Sequence, residues 1–268
     1  MSLNRDDNSF DILRLLAAWL VLFSHCYPLG GRPQSEPLAS TLGVDTFGGV
    51  GVAIFFVLSG YLVTVSLERS PSLREFARRR ALRIFPGLVA ICLLCVLVLG
   101  PLLTTLPQAV YWRHSMTWDY LKTATAWIIK YPLPGVFADN PAPNAVNGSL
   151  WSLPYEIRCY VVLALASLLP GSLRLKVSVA AAGLLVLLLV RPAVPPATPF
   201  DKFLGLDYYH TKLGLLFALG AVFACWRERF QPMLWPALAM LVAVVWVPHG
   251  VAQLLLFVLG LGTLTLWL

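Results

Sequence analysis

Ionisable side chains inside a long apolar run mark the first candidate for chemistry. Residues 10–28 are mostly apolar, yet they include Asp11, Arg14 and His25. Titratable groups are costly inside a membrane, so each one is a functional-site hypothesis. If this run is a helix, the eleven residues from Arg14 to His25 make about three turns, with roughly 20° of offset and about 16 Å of rise. Asp11, three residues before Arg14, is expected to pair with it.

The chemistry that this run could carry is general base catalysis by His25, because imidazole titrates near neutral pH. Structural readings stay open at this point. Arg14 and Asp11 also fit interfacial residues whose charged ends reach water, and His25 also fits an interfacial histidine near a helix end.

A second candidate segment begins at Asn147 and reads NGSLWSLPYEI. Pro154 suits the first turn of a helix, where the Glu156 carboxylate would also favour the helix dipole. If the chain enters the membrane here from the outer side, Glu156 lies at about the depth of His25. A histidine and a carboxylate at one level suit a general base whose ring the carboxylate orients. Depth alone leaves the lateral contact between the two helices open.

A group of arginines between residues 69 and 83 is the third candidate. Its members are Arg69, Arg74, Arg78, Arg79, Arg80 and Arg83. The guanidinium group suits phosphate, so Arg80 and Arg83 are candidates for holding a phosphorylated donor from the cytosol. Anchoring by basic residues on the inner side of the membrane explains most members of the group better.

Transmembrane helices are the elements that must position these residues. Of the 268 residues, 58% are hydrophobic and 12% are charged, and the mean hydropathy is +0.75. A soluble chain of this length would need far more polar surface. We therefore predict an all-α polytopic bundle of about eight spans, one membrane domain over residues 1–268. The predicted spans lie near 10–28, 49–67, 87–106, 150–169, 177–190, 213–225, 233–247 and 250–268.

The distribution of charge gives the predicted orientation. The net charge of +7 and the pI near 9.3 would suit a nucleic-acid binder, but the basic residues crowd into short loops. With a cytoplasmic N-terminus these loops all lie on the inner side, as membrane proteins favour. A short basic helix that starts at Ser72, with Glu75 at capping-box spacing, is predicted at the inner interface. The long outer loop 107–149 is predicted to be ordered and functional.

Two cysteines resemble a reactive motif without being one. Cys92 and Cys95 read as CxxC, but they lie in an apolar run, where thiols three residues apart are small buried hydrophobes. Because no cluster of His or Cys accompanies them in the sequence, no metal site is predicted.

Four motifs in order resemble the acyltransferase 3 family of bacterial inner-membrane acyltransferases, which modify surface polysaccharides and other carbohydrates. They are FDILR at 10–14 leading to His25, GVAIFFVLSGYL at 51–62, RRALRIFP at 79–86 and NGSLWSLPYE at 147–156. Each motif alone is a weak signal. Together they span the chain from residue 10 to about residue 163.

The resemblance implies an acyl-CoA donor, most often acetyl-CoA, and no permanently bound cofactor. It implies Arg14 and His25 as the family's arginine–histidine pair, Arg80 and Arg83 as its Arg-x-x-Arg pair, and Glu156 as its acidic residue. The family usually has about ten spans. A chain of fewer spans that stops inside an apolar run is therefore expected to be a shortened member or a fragment.

The predicted reaction transfers an acyl group, most often acetyl, from CoA to a hydroxyl of a cell-surface or lipid-linked glycan. His25 would take the hydroxyl proton and Glu156 would orient it. Asn147, Ser149 and Ser152 would donate hydrogen bonds to the developing oxyanion. Arg14, Arg80 and Arg83 would hold phosphate or line the entry of the donor.

The expected partners are acyl-CoA, a glycan or lipid-linked sugar and membrane lipid, with no nucleic acid, in a multi-pass protein of the bacterial inner membrane. A transporter of an amphiphilic substrate is the alternative, since it would also place Arg, His and Glu inside the membrane. A simple membrane anchor would not need the polar stripe of the first span.

Overall fold

The computed structural model describes residues 9–43, 45–190, 208–229, 231–248 and 251–267. Every regular element within these ranges is a helix, so the predicted all-α class is confirmed. In chain order the α-helices are α1 (Ser9–Leu29), α2 (Pro37–Leu42), α3 (Phe47–Arg69), α4 (Leu73–Leu94), α5 (Gly100–Leu103), α6 (Gln108–Arg113), α7 (Ser115–Asp119), α8 (Leu153–Leu168), α9 (Leu173–Val190), α10 (Tyr208–Trp226), α11 (Leu234–Trp246) and α12 (Val251–Trp267).

Four helical stretches in the described ranges are long and apolar enough to cross a membrane. They are Ser9–Leu29, Phe47–Arg69, Leu73–Leu103 and Tyr209–Trp226. The chain is therefore a membrane protein. Each of the other predicted spans overlaps a helix, but α8, α11 and α12 have only 16, 13 and 17 residues. The total of about eight spans and the cytoplasmic N-terminus stay predictions.

The predicted short basic helix is not a separate element, which corrects the sequence interpretation. Ser72 does cap a helix start, since its hydroxyl accepts the Glu75 N–H at 3.2 Å. That helix runs on without a break through Pro86, and a π-helical turn and α5 extend it to Leu103. Proline removes one backbone hydrogen bond, and long apolar helices tolerate that loss where neighbouring groups compensate.

The chain divides into two compact units. The first comprises residues 1–27, 32–69 and 161–268, and the second comprises residues 28–31 and 70–160. In the first unit α3 is central, and α1, α10 and α12 pack against it. The sequence of α3 explains this position, because its glycines let the backbones of neighbouring helices approach closely.

Two glycines on opposite sides of α3 let neighbouring helices approach closely. A Cβ on Gly51 would lie 2.5 Å from the carbonyl oxygen of Ala17 in α1. A Cβ on Gly60 would lie 2.0 Å from the carbonyl oxygen of Phe217 in α10. Nine residues correspond to about 180° around a helix, so one motif supplies a contact surface to each neighbour.

Replacing Gly60 by alanine is expected to separate α3 from α10, because the obstructing atom is backbone and cannot rotate away. The expected loss of stability is about 1–3 kcal/mol or more. Thermal unfolding of the purified protein in detergent measures it. Gly183→Ala is the matched control, since nothing lies within 4 Å of a Cβ there. Equal unfolding temperatures for the two variants would contradict the packing account.

The second unit is built around the second half of the long helix that starts at Leu73. Its buried core combines residues of that helix with residues of the following segment, and Leu150, Leu153 and Ile157 pack against it. The core members are Leu88, Cys92, Cys95, Val96, Tyr120, Ala126, Leu133 and Val136. Segment 107–149, which the sequence analysis predicts to be an ordered outer loop, thus packs in this core, and Cys92 and Cys95 are buried free thiols, as predicted.

A tyrosine from the outer loop completes the backbone of the π-helical turn Cys95–Leu99. In that turn the Gly100 N–H bonds to the Cys95 carbonyl, so the next donor would be residue 101. Residue 101 is proline and has no N–H. The Tyr111 hydroxyl instead donates to the Val96 carbonyl at 2.9 Å, and both residues are fully buried.

Tyr111→Phe is expected to destabilise the protein by about 1–3 kcal/mol, because it leaves the buried Val96 carbonyl without a donor. The unfolding temperature in detergent reports the loss. Tyr131→Phe in the same segment is the control, and it should change the temperature little. If both variants behave alike, the hydroxyl of Tyr111 contributes nothing specific.

Candidate active site

Both candidate residues of the first motif lie next to the buried side of α1. Leu13, Ala17 and Ser24 are buried and mark the side of α1 that faces protein. Arg14 and His25 lie beside this stripe and are half-buried. The opposite side of α1 exposes apolar side chains, among them Ile12, Leu15, Leu16, Trp19 and Leu22. The predicted continuous helix from residue 10 to residue 25 is confirmed.

The imidazole of His25 is oriented by its own helix. Its Nδ1 lies 2.7 Å from the carbonyl oxygen of Val21, one turn earlier. A carbonyl oxygen only accepts, so Nδ1 must carry the proton and donate. In the neutral ring Nε2 then has the lone pair. The geometry therefore prepares Nε2 as a proton acceptor.

Arg14 is held by Asp11, as the spacing predicted. The two side chains form an ion pair of 2.9 Å between Nη1 and Oδ1. The carboxylate is 77% exposed whereas the guanidinium is 28% exposed, so the arginine lies on the protein side of the pair. A pair with so exposed a partner contributes little to stability. The pair does place the guanidinium beside the buried stripe, on the same side of α1 as His25.

Helix α1 runs antiparallel to α3, which sets the level of each candidate residue. The Phe10 ring contacts Tyr61 at 5.8 Å, and the Phe23 ring contacts Phe47 at 5.8 Å. His25 therefore lies level with the start of α3, and Arg14 lies well along it. These levels follow from the two ring contacts and do not require Arg14 or His25 to touch α3.

Arg80 and Arg83 lie in the first half of α4, one turn apart. Arg80 is half-buried, while Arg83 is exposed. Their neighbours Arg78 and Arg79 are both bound to Glu75, at 2.9 and 2.7 Å. The outer segment packs on the other half of the long helix. The two candidate arginines are thus at the far end of the second unit from the ordered loop.

Glu156 lies in the first turn of α8 and is half-buried. Its carboxylate accepts a hydrogen bond from the hydroxyl of Tyr160, one turn later. Two residues beyond Glu156, the Arg158 guanidinium lies over the ring of Trp127 at 5.2 Å, which ties the outer loop to α8. Tyr160 was not predicted from the sequence, although its position four residues after Glu156, one helical turn away, could have indicated this hydrogen bond.

The proposed oxyanion donors lie just before α8. Ser149 donates its hydroxyl to the Asn147 side-chain oxygen at 2.9 Å, which leaves the Asn147 amide N–H atoms as donors. Ser152 ends the 3₁₀ turn Gly148–Ser152 that leads into α8. These residues share a unit with Glu156, Arg80 and Arg83, whereas Arg14 and His25 lie in the other. The pairing of His25 with Glu156 and the role of each residue stay predictions.

Two carboxylates near the start of α3 also escaped the sequence analysis. Asp45 forms an ion pair with Lys212 of α10, and both side chains are nearly buried. Glu36 is 2% exposed and accepts two backbone N–H groups. Nothing in the sequence around either acid singles it out. Lys212 is too far from Asp45 along the chain for the sequence to indicate their ion pair. The partners of Glu36 are backbone N–H groups, which every sequence has, so the sequence does not indicate these bonds either.

Comparison with known proteins gives three relatives that share part of this chain. An O-acetyl transferase of Shigella phage Sf6 is 38% identical over 159 residues, which is 59% of this chain and 45% of that protein. Nodulation protein 10 of Rhizobium leguminosarum bv. viciae is 37% identical over 166 residues, 58% of this chain and 43% of that protein. Acyltransferase MdmB of Streptomyces mycarofaciens is 28% identical over 154 residues, which is 57% of this chain and 37% of that protein.

The matched region is therefore less than half the length of each of these relatives. No solved structure matches the chain. The acyltransferase 3 family, described as an acyltransferase domain, matches residues 7–268. Because this match covers nearly the whole sequence and includes all four motifs, the chain belongs to the acyltransferase 3 family.

Proposed function

We propose that this protein transfers an acyl group, most often acetyl, from acyl-CoA to a hydroxyl of a cell-surface or lipid-linked glycan. The observation that carries the proposal is the orientation of His25, whose Nδ1 is bound to the Val21 carbonyl so that Nε2 is the base. The family and the relative named O-acetyl transferase support the reaction class. The site of action is the bacterial inner membrane, with a multi-pass chain and a cytoplasmic N-terminus.

In this reaction the acceptor hydroxyl loses its proton to Nε2 of His25 as its oxygen attacks the thioester carbon. The tetrahedral intermediate places negative charge on the former carbonyl oxygen, which the Asn147 amide would stabilise, with Ser149 and Ser152 beside it. The carbon–sulfur bond then breaks, and the CoA thiolate takes the proton from the imidazolium. Glu156 stabilises that cation if α8 and α1 are neighbours.

Arg14, Arg80 and Arg83 serve the donor. In the proposed orientation Arg80 and Arg83 begin near the cytoplasmic side, where the phosphates of CoA arrive. Arg14 lies about 16 Å below His25 along α1. The phosphates of CoA would remain near the arginines while the thioester reaches His25.

Replacing His25 or Glu156 by alanine is expected to lower acyl transfer by about 10²–10⁴-fold. If the two residues act as one unit, the double variant loses little more than the worse single variant. Purified full-length protein in liposomes, with labelled acetyl-CoA and a glycan acceptor, provides the assay.

His114→Ala is the matched control for this experiment. His114 is also half-buried, but its Nδ1 only accepts the Met116 N–H at the start of α7. Wild-type transfer by His25→Ala would refute the proposed base. Fully additive losses of transfer rate would instead show that Glu156 does not act together with His25, which leaves it as a carboxylate that stabilises the start of α8.

Arg80→Ala and Arg83→Ala are each expected to weaken binding of acyl-CoA, because a charge-assisted bond to phosphate contributes about 1.5–3 kcal/mol. Calorimetric titration of purified protein measures the affinity. Arg78→Ala is the control, since Arg78 is 63% exposed and already bound to Glu75. An unchanged affinity in both test variants would exclude these arginines from the donor site.

A further inference from the structure

The turn of α1 that carries His25 lacks part of its own backbone support. Pro28 lies inside α1 and has no N–H for the carbonyl of Ser24. The end of the helix therefore depends on contacts from other elements to keep one position. This dependence matters because a misplacement of about 1 Å can cost a catalytic group about 10²-fold in rate.

The first turn of α3 supplies those contacts. The ring of Phe47 meets the ring of Phe23 edge-on at 5.8 Å. One residue later, a Cβ on Gly48 would lie 3.0 Å from the side chain of Ser24, which is buried. Phe23 and Ser24 immediately precede His25. The turn that holds the base thus rests on residues 47 and 48.

Glu36 fixes that first turn of α3. One carboxylate oxygen accepts the Phe47 N–H at 2.6 Å, and the other accepts the Ala39 N–H at 2.8 Å. The side chain is 2% exposed, so water does not compete for these bonds. Hydrogen bonds from N–H groups to a carboxylate are about twice as strong as neutral ones. Glu36 therefore joins the segment before α3 to the start of α3.

We propose that Glu36 is a positioning residue for His25. By holding the first turn of α3, it sets the surface on which Phe23 and Ser24 rest and so the direction of the His25 Nε2 atom. The inference rests on the proposed function, in which that atom is the base. Glu36 itself touches neither substrate nor the reacting atoms.

The test compares Glu36→Gln with Glu68→Gln. Glutamine at position 36 keeps one acceptor oxygen and loses the second, and the same change at Glu68 breaks a 2.8 Å ion pair with Arg227 at the opposite end of α3. Three quantities are measured on the full chain: the unfolding temperature, kcat and KM per folded protein, and the ¹⁵N spectrum of labelled histidine. The His25 signals are assigned by their loss in His25→Asn.

Both variants are expected to lower the unfolding temperature. Only Glu36→Gln should lower kcat, by about 10- to 100-fold, with KM for acetyl-CoA unchanged, and only it should shift the His25 signals from the Nδ1–H form toward mixed tautomers. Glu36→Asp keeps the charge but is one methylene too short to reach both N–H groups. Glu36→Asp should therefore also lower kcat and shift the His25 signals, and it replaces Glu36→Gln in the test if the glutamine variant does not fold.

Wild-type kcat and an unchanged His25 spectrum in both Glu36 variants, together with an inactive His25→Ala, would overturn the inference and leave the proposed function intact. A fall in kcat that Glu68→Gln matches would overturn it too, because it would show general destabilisation. Full activity of His25→Ala would instead refute the proposed function. The His25 spectrum would then still report whether Glu36 orients the ring.

Discussion

Close contact between helix backbones, made possible where α3 has no side chain, is the constraint on which the first unit depends. Gly51 admits α1 and Gly60 admits α10 from opposite sides. Because backbone atoms leave little room for sliding, these contacts also fix the register of α1 along α3. Phe10 meets Tyr61 at one end and Phe23 meets Phe47 at the other. The apolar family motif at 51–62 therefore acts by packing, and the residues proposed for the chemistry, Arg14 and His25, lie on its neighbour α1.

The second unit shows a related constraint, which is the need of every buried backbone group for a partner. Pro101 leaves the Val96 carbonyl without a helical donor, and Tyr111 satisfies it from the outer loop. Thr104 likewise donates to the Pro134 carbonyl at 2.7 Å. Such bonds hold the loop on the long helix. Glu156 and Asn147, at the start of α8, are placed by this ordered framework.

Local rules predicted much of the fold and part of the site from the sequence. Eight apolar runs each overlap a helix, and the Asp11–Arg14 pair and the Ser72 cap follow from spacing within one helix. The separation predicted between the short basic helix and the span that starts near residue 87 was wrong, because proline removes a single bond and the helix continues through Pro86. Local periodicity alone could not show this.

Features set by long-range packing lay beyond sequence reasoning. Asp45 and Lys212 are far apart in the sequence, and their pairing depends on α3 and α10 being adjacent. The sequence does not distinguish Glu36 from an ordinary loop charge, because its partners are backbone N–H groups, which every sequence has. The bond from His25 to Val21 joins residues one helical turn apart, yet histidine has other rotamers that would not form it.

We propose that this chain acylates a glycan with His25 as the base. Mass spectrometry of surface and lipid-linked glycans tests it most directly, in cells that lack the gene and are complemented with the wild-type or the His25→Ala chain. We expect glycans that carry an added acetyl or other acyl mass only with the wild-type chain. Identical glycan masses in all three strains, with both proteins present in the membrane, would contradict it.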